Sequence, residues 1–209
     1  MKSIFKSLIV NILTFEAKLL LRRAKPKIIA VTGNVGKTST KDAIYEVLRN
    51  HVHARKSEKS FNSELGVPLS VLGLDNAWSN PLLWIKNLVD GLILALFPAN
   101  YPKFLVLEMG VDRPGDMKAL TDWITPDVVV ITRLPEVPVH VEYFNTPEEV
   151  IVEKLTLLEA LKPDGIFVYN HDDERVRRVA DETRQQSIGY SRYSQSHFSA
   201  SGDIIDYEG

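Results

Sequence analysis

Short runs of consecutive apolar residues alternate along this chain with longer stretches in which apolar positions recur every three or four residues. The runs Ile28–Thr32, Phe104–Leu107, Val128–Thr132 and Ile166–Tyr169 predict strands buried on both faces. Helices are predicted to begin near Lys37, Ser63, Gly115, Pro147 and Asp173. Thr146-Pro147-Glu148-Glu149 supplies an N-cap hydroxyl, a proline at the first helical position and a capping-box glutamate, and Asp164-Gly165 predicts the turn into the next strand. Strands alternating with helices predict an α/β fold, a mostly parallel sheet flanked by helices. No internal repeat or low-complexity linker interrupts it.

Two stretches are more apolar than a helix on an ordinary domain needs. Met1 to Arg23 combines Lys2 and Lys6 with the run Leu8–Phe15, but Glu16 and Lys18 break the run and no small-residue cleavage site precedes Arg22-Arg23. That pattern argues against a secretory signal. It predicts an amphipathic helix over roughly Ile4–Arg23, packed on the domain or lying on a partner or membrane surface. Between Pro81 and Pro98 only Lys86 and Asp90 are charged, four apart as an exposed ion pair requires. The stretch is short for a bilayer span and predicts a buried or interfacial helix. Ser191 to Gly209 is polar apart from Ile204-Ile205 and reads as the first strand of a hairpin without its partner, as expected of a fragment of a longer protein.

The 209 residues, 44% hydrophobic and 25% charged, suffice for one globular domain and make intrinsic disorder a poor reading. A formal charge of -2 gives no global reason to expect nucleic acid, so any anion must be held by a local site. The chain has no cysteine, which excludes a disulfide scaffold, a thiolate zinc site and a cysteine nucleophile, and fits the cytoplasm.

That local site is legible in Ile28-Ile29-Ala30-Val31-Thr32-Gly33-Asn34-Val35-Gly36-Lys37-Thr38-Ser39, which runs from an apolar strand through a glycine-bearing loop into a helix. Gly33 and Gly36 permit the backbone conformations by which successive N–H groups converge on a phosphate at a helix N-terminus. Lys37 offers a point charge to the β and γ phosphates and Thr38 a hydroxyl to Mg²⁺. The general phosphate-loop pattern places glycine at position 31, where this chain has Val31. A magnesium nucleotide needs acidic ligands at a neighbouring strand end, and Glu108 closes the run Phe104–Leu107, followed by Met109-Gly110.

Three further features carry chemistry. Lys154 has Val150, Ile151, Leu157 and Leu158 as its helical neighbours and lies on an apolar stripe, where a lysine snorkels, pairs or is chemically modified. Asn170-His171-Asp172-Asp173 follows a strand, where amide and carboxylate read a base or ribose, or where Asp172 caps the next helix. His140, in Pro138-Val139-His140-Val141-Glu142, is a metal ligand, a proton carrier or neither.

With these pieces in order the chain resembles the central, P-loop NTPase-like ATP-binding domain of the Mur ligase family, over about Lys25 to Tyr190. The branch it resembles most adds D-alanyl-D-alanine to the UDP-MurNAc tripeptide. The likeness rests on Val31–Thr38, on Phe61-Asn62-Ser63-Glu64-Leu65-Gly66-Val67-Pro68-Leu69, on Glu108–Gly110, Pro114–Asp116, His140, Lys154 and Asn170–Asp173. The family's loop also lacks the first glycine, which accounts for Val31.

The resemblance implies that Thr32, Gly33, Asn34, Val35, Gly36, Lys37, Thr38 and Ser39 hold the ATP phosphates, and that Asn170 and Asp173 contact the adenine and ribose. It implies two Mg²⁺ ions, with Thr38 and Glu108 on the first, His140 on the second, and a carbamylated Lys154 bridging them. Lys37, Lys154 and His140 are then the catalytic residues, and Asn62 and Ser63 face the UDP-sugar peptide. Ser63 stands where the family usually has a second asparagine, Lys59-Ser60 replaces Gly-Asn, and Arg133 replaces an asparagine.

The implied organisation is an amphipathic helix over residues 1–24 and a central ATP-binding domain over 25–209. The family's N-terminal UDP-binding and C-terminal amine-binding domains are expected to be absent. The implied reaction is ATP-dependent amide formation, in which a UDP-MurNAc-peptide carboxylate becomes an acyl phosphate and D-Ala-D-Ala displaces phosphate. Alternatives are another amide ligase of the superfamily, of folylpolyglutamate or cyanophycin synthetase type, or a nucleotide-holding scaffold without turnover. Asn62–Pro68 favours the muropeptide branch.

Overall fold

The computed structural model describes residues 2–58, 61–134 and 143–200. Its elements in order are α1 (Lys2–Ala24), β1 (Lys27–Thr32), α2 (Lys37–Leu48), β2 (Ala54–Lys56), α3 (Gly66–Leu72), α4 (Pro81–Leu96), β3 (Phe104–Glu108) and α5 (Asp116–Thr121). They continue with β4 (Val128–Ile131), α6 (Pro147–Glu159), β5 (Ile166–Asn170), α7 (Glu174–Glu182), β6 (Gln186–Ser191) and β7 (Phe198–Ser199). The seven strands form one sheet in the order β2-β3-β1-β4-β5-β6-β7, and every pairing is parallel.

Alternation along β1 divides the core in two. Ile28 and Ala30 face a large cluster with Leu105, Leu107, Val129, Ile131 and Phe167, covered by the helices other than α2. Ile29 and Val31 face the opposite side with Val106 and Val130, where Ile44, Tyr45 and Leu48 of α2 cover them. Only α2 connects strands in the direction from β1 toward β2, so a right-handed crossover places it alone on that face. The reversal of direction at β1 opens a crevice at the carboxyl ends of β1 and β3, the place where such sheets bind ligands.

The four predicted strands are present, each within a residue of its expected ends. The pattern does not predict β2 or β6: β2 is three residues, Ala54-Arg55-Lys56, and β6 is largely polar, so neither shows an apolar run. β7 pairs parallel to β6; Ile204-Ile205, on which the expected first strand of a hairpin rests, lies outside the described residues. The helix expected from Ser63 begins at Gly66. Thr146 caps α6 and Pro147 is its first residue, but Glu149 receives the N–H of Asn145 at 2.9 Å, one residue before the expected capping-box partner.

α1 packs on the domain against α3 and α4, burying Ile9, Leu13, Glu16, Ala17 and Leu20. Phe5 and Ile9 share a groove of about 650 Å³ with Trp78, Pro81 and Trp84, while Glu16 abuts Gly91. The two helices therefore run side by side in the same direction. α4 buries Trp84, Asn87, Gly91 and Ala95, and Lys86 pairs with Asp90 on its surface as expected. No helix among the described residues is long and apolar enough to cross a membrane.

Candidate active site

The loop Gly33–Gly36 leaves the end of β1 and enters α2. Gly33 has φ 138°, and a Cβ there would stand 2.1 Å from Thr132 Oγ1, so the position is closed to other residues twice over. Thr132 in turn donates its hydroxyl to the Val35 carbonyl at 2.8 Å, and the Asn34 N–H reaches the Arg133 carbonyl at 2.8 Å. The end of β4 thus fixes the loop. Gly36, at φ 83°, caps α2 without any side-chain acceptor for the helix's first N–H groups, and nothing lies within 4 Å of its Cβ position. Open space before unpaired N–H groups at a helix start suits a phosphate. The Thr32 hydroxyl and both polar atoms of the Asn34 side chain are buried without a protein partner beside this opening.

Charged groups converge at the same place. Lys37 Nζ folds back to the Asn34 carbonyl at 3.2 Å, and burial pulls its pKa down against the carboxylates of Glu108 and Asp112. Thr38 Oγ1 donates to Glu108 Oε2 at 2.8 Å, and Asn62 Nδ2 donates to Glu108 Oε1 at 3.3 Å. A hydroxyl and a carboxylate aimed at one point form part of a Mg²⁺ shell, in which water and phosphate oxygens usually fill the other positions. Among the described residues no group of three or more His, Cys, Asp or Glu is arranged to hold a metal. The residues fit a magnesium nucleotide better than a metal caged by protein alone.

Lys154 is buried in α6. Burial, and then the positive charge of Lys37, bring its pKa down to about 8, opposed by Asp112 and Glu153. Hydrogen bonds bring Thr38, Glu108 and Asn62 together, with Lys37 within electrostatic reach of both Glu108 and Lys154. Ser39 is exposed on the first turn of α2, and the Ser63 carbonyl begins α3 by accepting from Val67 N–H at 2.9 Å. His140 lies outside the described residues, as do Lys59 and Ser60.

Beyond β4 a second cavity of about 400 Å³ is lined by Arg133, Asn170, Asp173, Tyr190, Arg192 and Tyr193, among others. Asp173, rather than Asp172, caps α7: its Oδ1 accepts from the N–H groups of Arg175 and Val176, and its Oδ2 from Leu134 N–H at 2.8 Å. Asp172 instead gathers the hydroxyls of Ser191 and Ser194 and the N–H groups of Arg192 and Tyr193. Burial alone would raise its pKa, but these bonds outweigh it and hold the carboxyl at about 2. The stretch Arg133-Leu134 joins this cavity to the glycine loop, the Arg133 carbonyl accepting from Asn34 N–H and Leu134 N–H donating to Asp173.

Some residues of the site were not anticipated from sequence. The buried Lys41, one turn after Lys37, donates to the Ser57 carbonyl at 2.8 Å. Ser57 Oγ accepts the Glu108 N–H at 3.1 Å. This chain of contacts braces Glu108. The available signal was a second lysine at i+4 from Lys37, on the same helical face; nothing local marks Ser57.

Residues 89–208 match the profile of the Mur ligase middle domain. The chain belongs to that family. The UDP-N-acetylmuramoyl-tripeptide--D-alanyl-D-alanine ligase of Bacillus subtilis is 31% identical over 157 residues, covering 75% of this chain and 29% of that enzyme. Its counterpart in Mycobacterium leprae is 31% identical over 170 residues, covering 81% of this chain and 28% of the enzyme. This Mur ligase middle domain thus spans under a third of these curated relatives. Among solved structures, the MurF ligase of Thermotoga maritima in complex with ADP superposes with a TM-score of 0.68 at 27% identity, over 88% of this chain and 37% of that one. An FPGS–AMPPCP–folate complex shares the fold, with a TM-score of 0.53 at 18% identity over 86% of this chain and 48% of that one.

Proposed function

We propose that this chain is the ATP-binding part of a cytoplasmic ligase of peptidoglycan precursor synthesis, residues 25–209 forming the central domain. The observation that carries this reading is the Thr38–Glu108 pair at the mouth of the glycine loop, with Lys37 beside it. The N-terminal N–H groups of α2 receive the β and γ phosphates, and Lys37 unfolds from the Asn34 carbonyl to offset their charge. Thr38 and Glu108 would hold a Mg²⁺, whose positive charge would screen the repulsion between triphosphate and an incoming carboxylate. Asn170 and Asp173 border the cavity for adenine and ribose, and Asn62, bonded to Glu108, and Ser63 lie on the acceptor side.

The reaction is amide formation: an oxygen of the UDP-MurNAc-peptide carboxylate bonds to the γ-phosphorus as ADP departs. The amine of D-Ala-D-Ala then displaces inorganic phosphate. Lys154, buried and held as a partly neutral amine, is suited to add its nitrogen to carbon dioxide with loss of a proton, giving a carbamate. That anion, with His140, would serve a second Mg²⁺.

Calorimetry of ADP in the presence of Mg²⁺, on the 209-residue chain beside Lys37→Ala, tests the nucleotide site. Saturable binding lost in the variant is expected. A folded chain that binds no ADP would overturn the reading.

A further inference from the structure

We infer that the surface formed by α1 and α4 docks on an anionic lipid bilayer. α4 has apolar residues all the way round: while Trp84 and Gly91 face inward, Ile85, Val89, Leu92 and Leu96 form a row of exposed side chains on the other side. A helix of that kind is ordinarily buried on both sides. On α1, Glu16 touches α4 and lies, around the helix, between the buried row Ile9, Leu13, Leu20 and a second exposed row, Phe5, Leu8 and Phe15. The second row is therefore on the flank of α1 next to α4, and the two rows belong to one apolar surface larger than scattered hydrophobic residues make.

Charge decides the occupant. The described side chains of α1 include Lys6, Lys18, Arg22 and Arg23, while its one carboxylate, Glu16, is buried. Lys6 pairs with Glu64, and Lys86 with Asp90. Lys18, Arg22 and Lys25, at the C-terminal end of α1, border a cavity of about 490 Å³ that Asp122, Trp123 and Lys162 also line; Asp122 is paired with Lys118, and no ion pair is seen for the three cations among the described residues. Anionic headgroups offset them, while acyl chains receive the apolar rows. Trp78, 80% exposed, and Phe97, 73% exposed, stand at the two ends of α4, the side chains favoured at the headgroup level.

The inference is independent of the nucleotide reading. The test is co-sedimentation of the 209-residue chain with mixed phosphatidylcholine–phosphatidylglycerol vesicles and with pure phosphatidylcholine vesicles. Calorimetric ADP binding on the same preparation reports separately on the nucleotide site. The chain is expected to pellet with the mixed vesicles, less so as salt rises. Ile85→Gln/Leu92→Gln/Leu96→Gln should cut the bound fraction by about tenfold or more at unchanged melting temperature. Arg22→Gln/Arg23→Gln should remove the preference for the anionic lipid. If the triple variant does not fold, Trp78→Ala/Phe97→Ala, outside the helix, provides the same comparison. Wild-type chain left in the supernatant overturns the inference, as does equal pelleting of the folded variants. A concentration-dependent dimer that the triple variant abolishes, without vesicle binding, would assign the surface to a second copy instead.

Discussion

The carboxylate of Glu16 in α1 occupies the space that a side chain on Gly91 of α4 would take, its Oε2 only 2.3 Å from the Cβ position. The close approach of the two helices depends on that missing Cβ. It also leaves Glu16 Oε2 buried without a hydrogen-bond partner, and burial raises the carboxyl's pKa to about 7.

Stability should therefore fall as pH rises across this window. The unfolded chain releases the Glu16 proton in the ordinary carboxylate range, near 4.5, whereas the folded chain keeps it to about 7. Between those values the unfolded state binds fewer protons, so stability is lost progressively and levels off above about 7. Glu16→Gln should melt several degrees higher than wild type at about pH 8 and at the same temperature at about pH 4. Parallel melting curves at both pH values would refute this.

Gly33 and Gly36 should respond differently to alanine. Gly33→Ala meets Thr132 Oγ1 and an unfavourable φ, and is expected to lower stability by about 2–4 kcal/mol in a denaturant titration. Gly36→Ala has open space, so only the left-handed backbone costs, about 1–2 kcal/mol. Its Cβ nevertheless points into the opening at the start of α2, and ADP affinity should fall well beyond what that small loss of stability explains.

Thr38→Val and Glu108→Gln should each weaken ADP binding by about tenfold or more with Mg²⁺ present and leave the weaker, EDTA-treated binding nearly unchanged. Calorimetry at both conditions separates a metal role from a merely structural one. An equal loss with and without Mg²⁺ would remove both residues from the metal shell.

Lys154 carries a larger neutral fraction near neutral pH than an exposed lysine does. Incubation with ¹³C-bicarbonate should give a carbamate carbon resonance that disappears in Lys154→Arg. In the complete ligase the same substitution should abolish turnover while ADP binding by this domain persists. Persistence of the resonance in the variant would place the carbamate elsewhere.

Much of this protein follows from local sequence. Four buried parallel strands show as apolar runs because both of their faces are covered, and the glycine loop shows because Gly33, Gly36, Lys37 and Thr38 fall within six consecutive residues. Lys154 stands out because helical periodicity puts a cation on an apolar stripe. Tertiary structure decided what depends on distant segments meeting. Thr38 and Glu108 are 70 residues apart, and only parallel pairing of β1 with β3 sets their side chains at one point. The bracing of Glu108 by Lys41 and Ser57 has no local signature, and the choice of Asp173 over Asp172 as helix cap turned on the competing partners Ser191 and Ser194. The short edge strand β2 and the polar strand β6, paired between β5 and β7, have no apolar run to mark them, because such strands gain their register from neighbours. Periodicity marked α1 and α4 as unusually apolar; which of their faces the domain covers and which it leaves to solvent was settled only by packing, since a helix apolar on every side does not specify its own orientation.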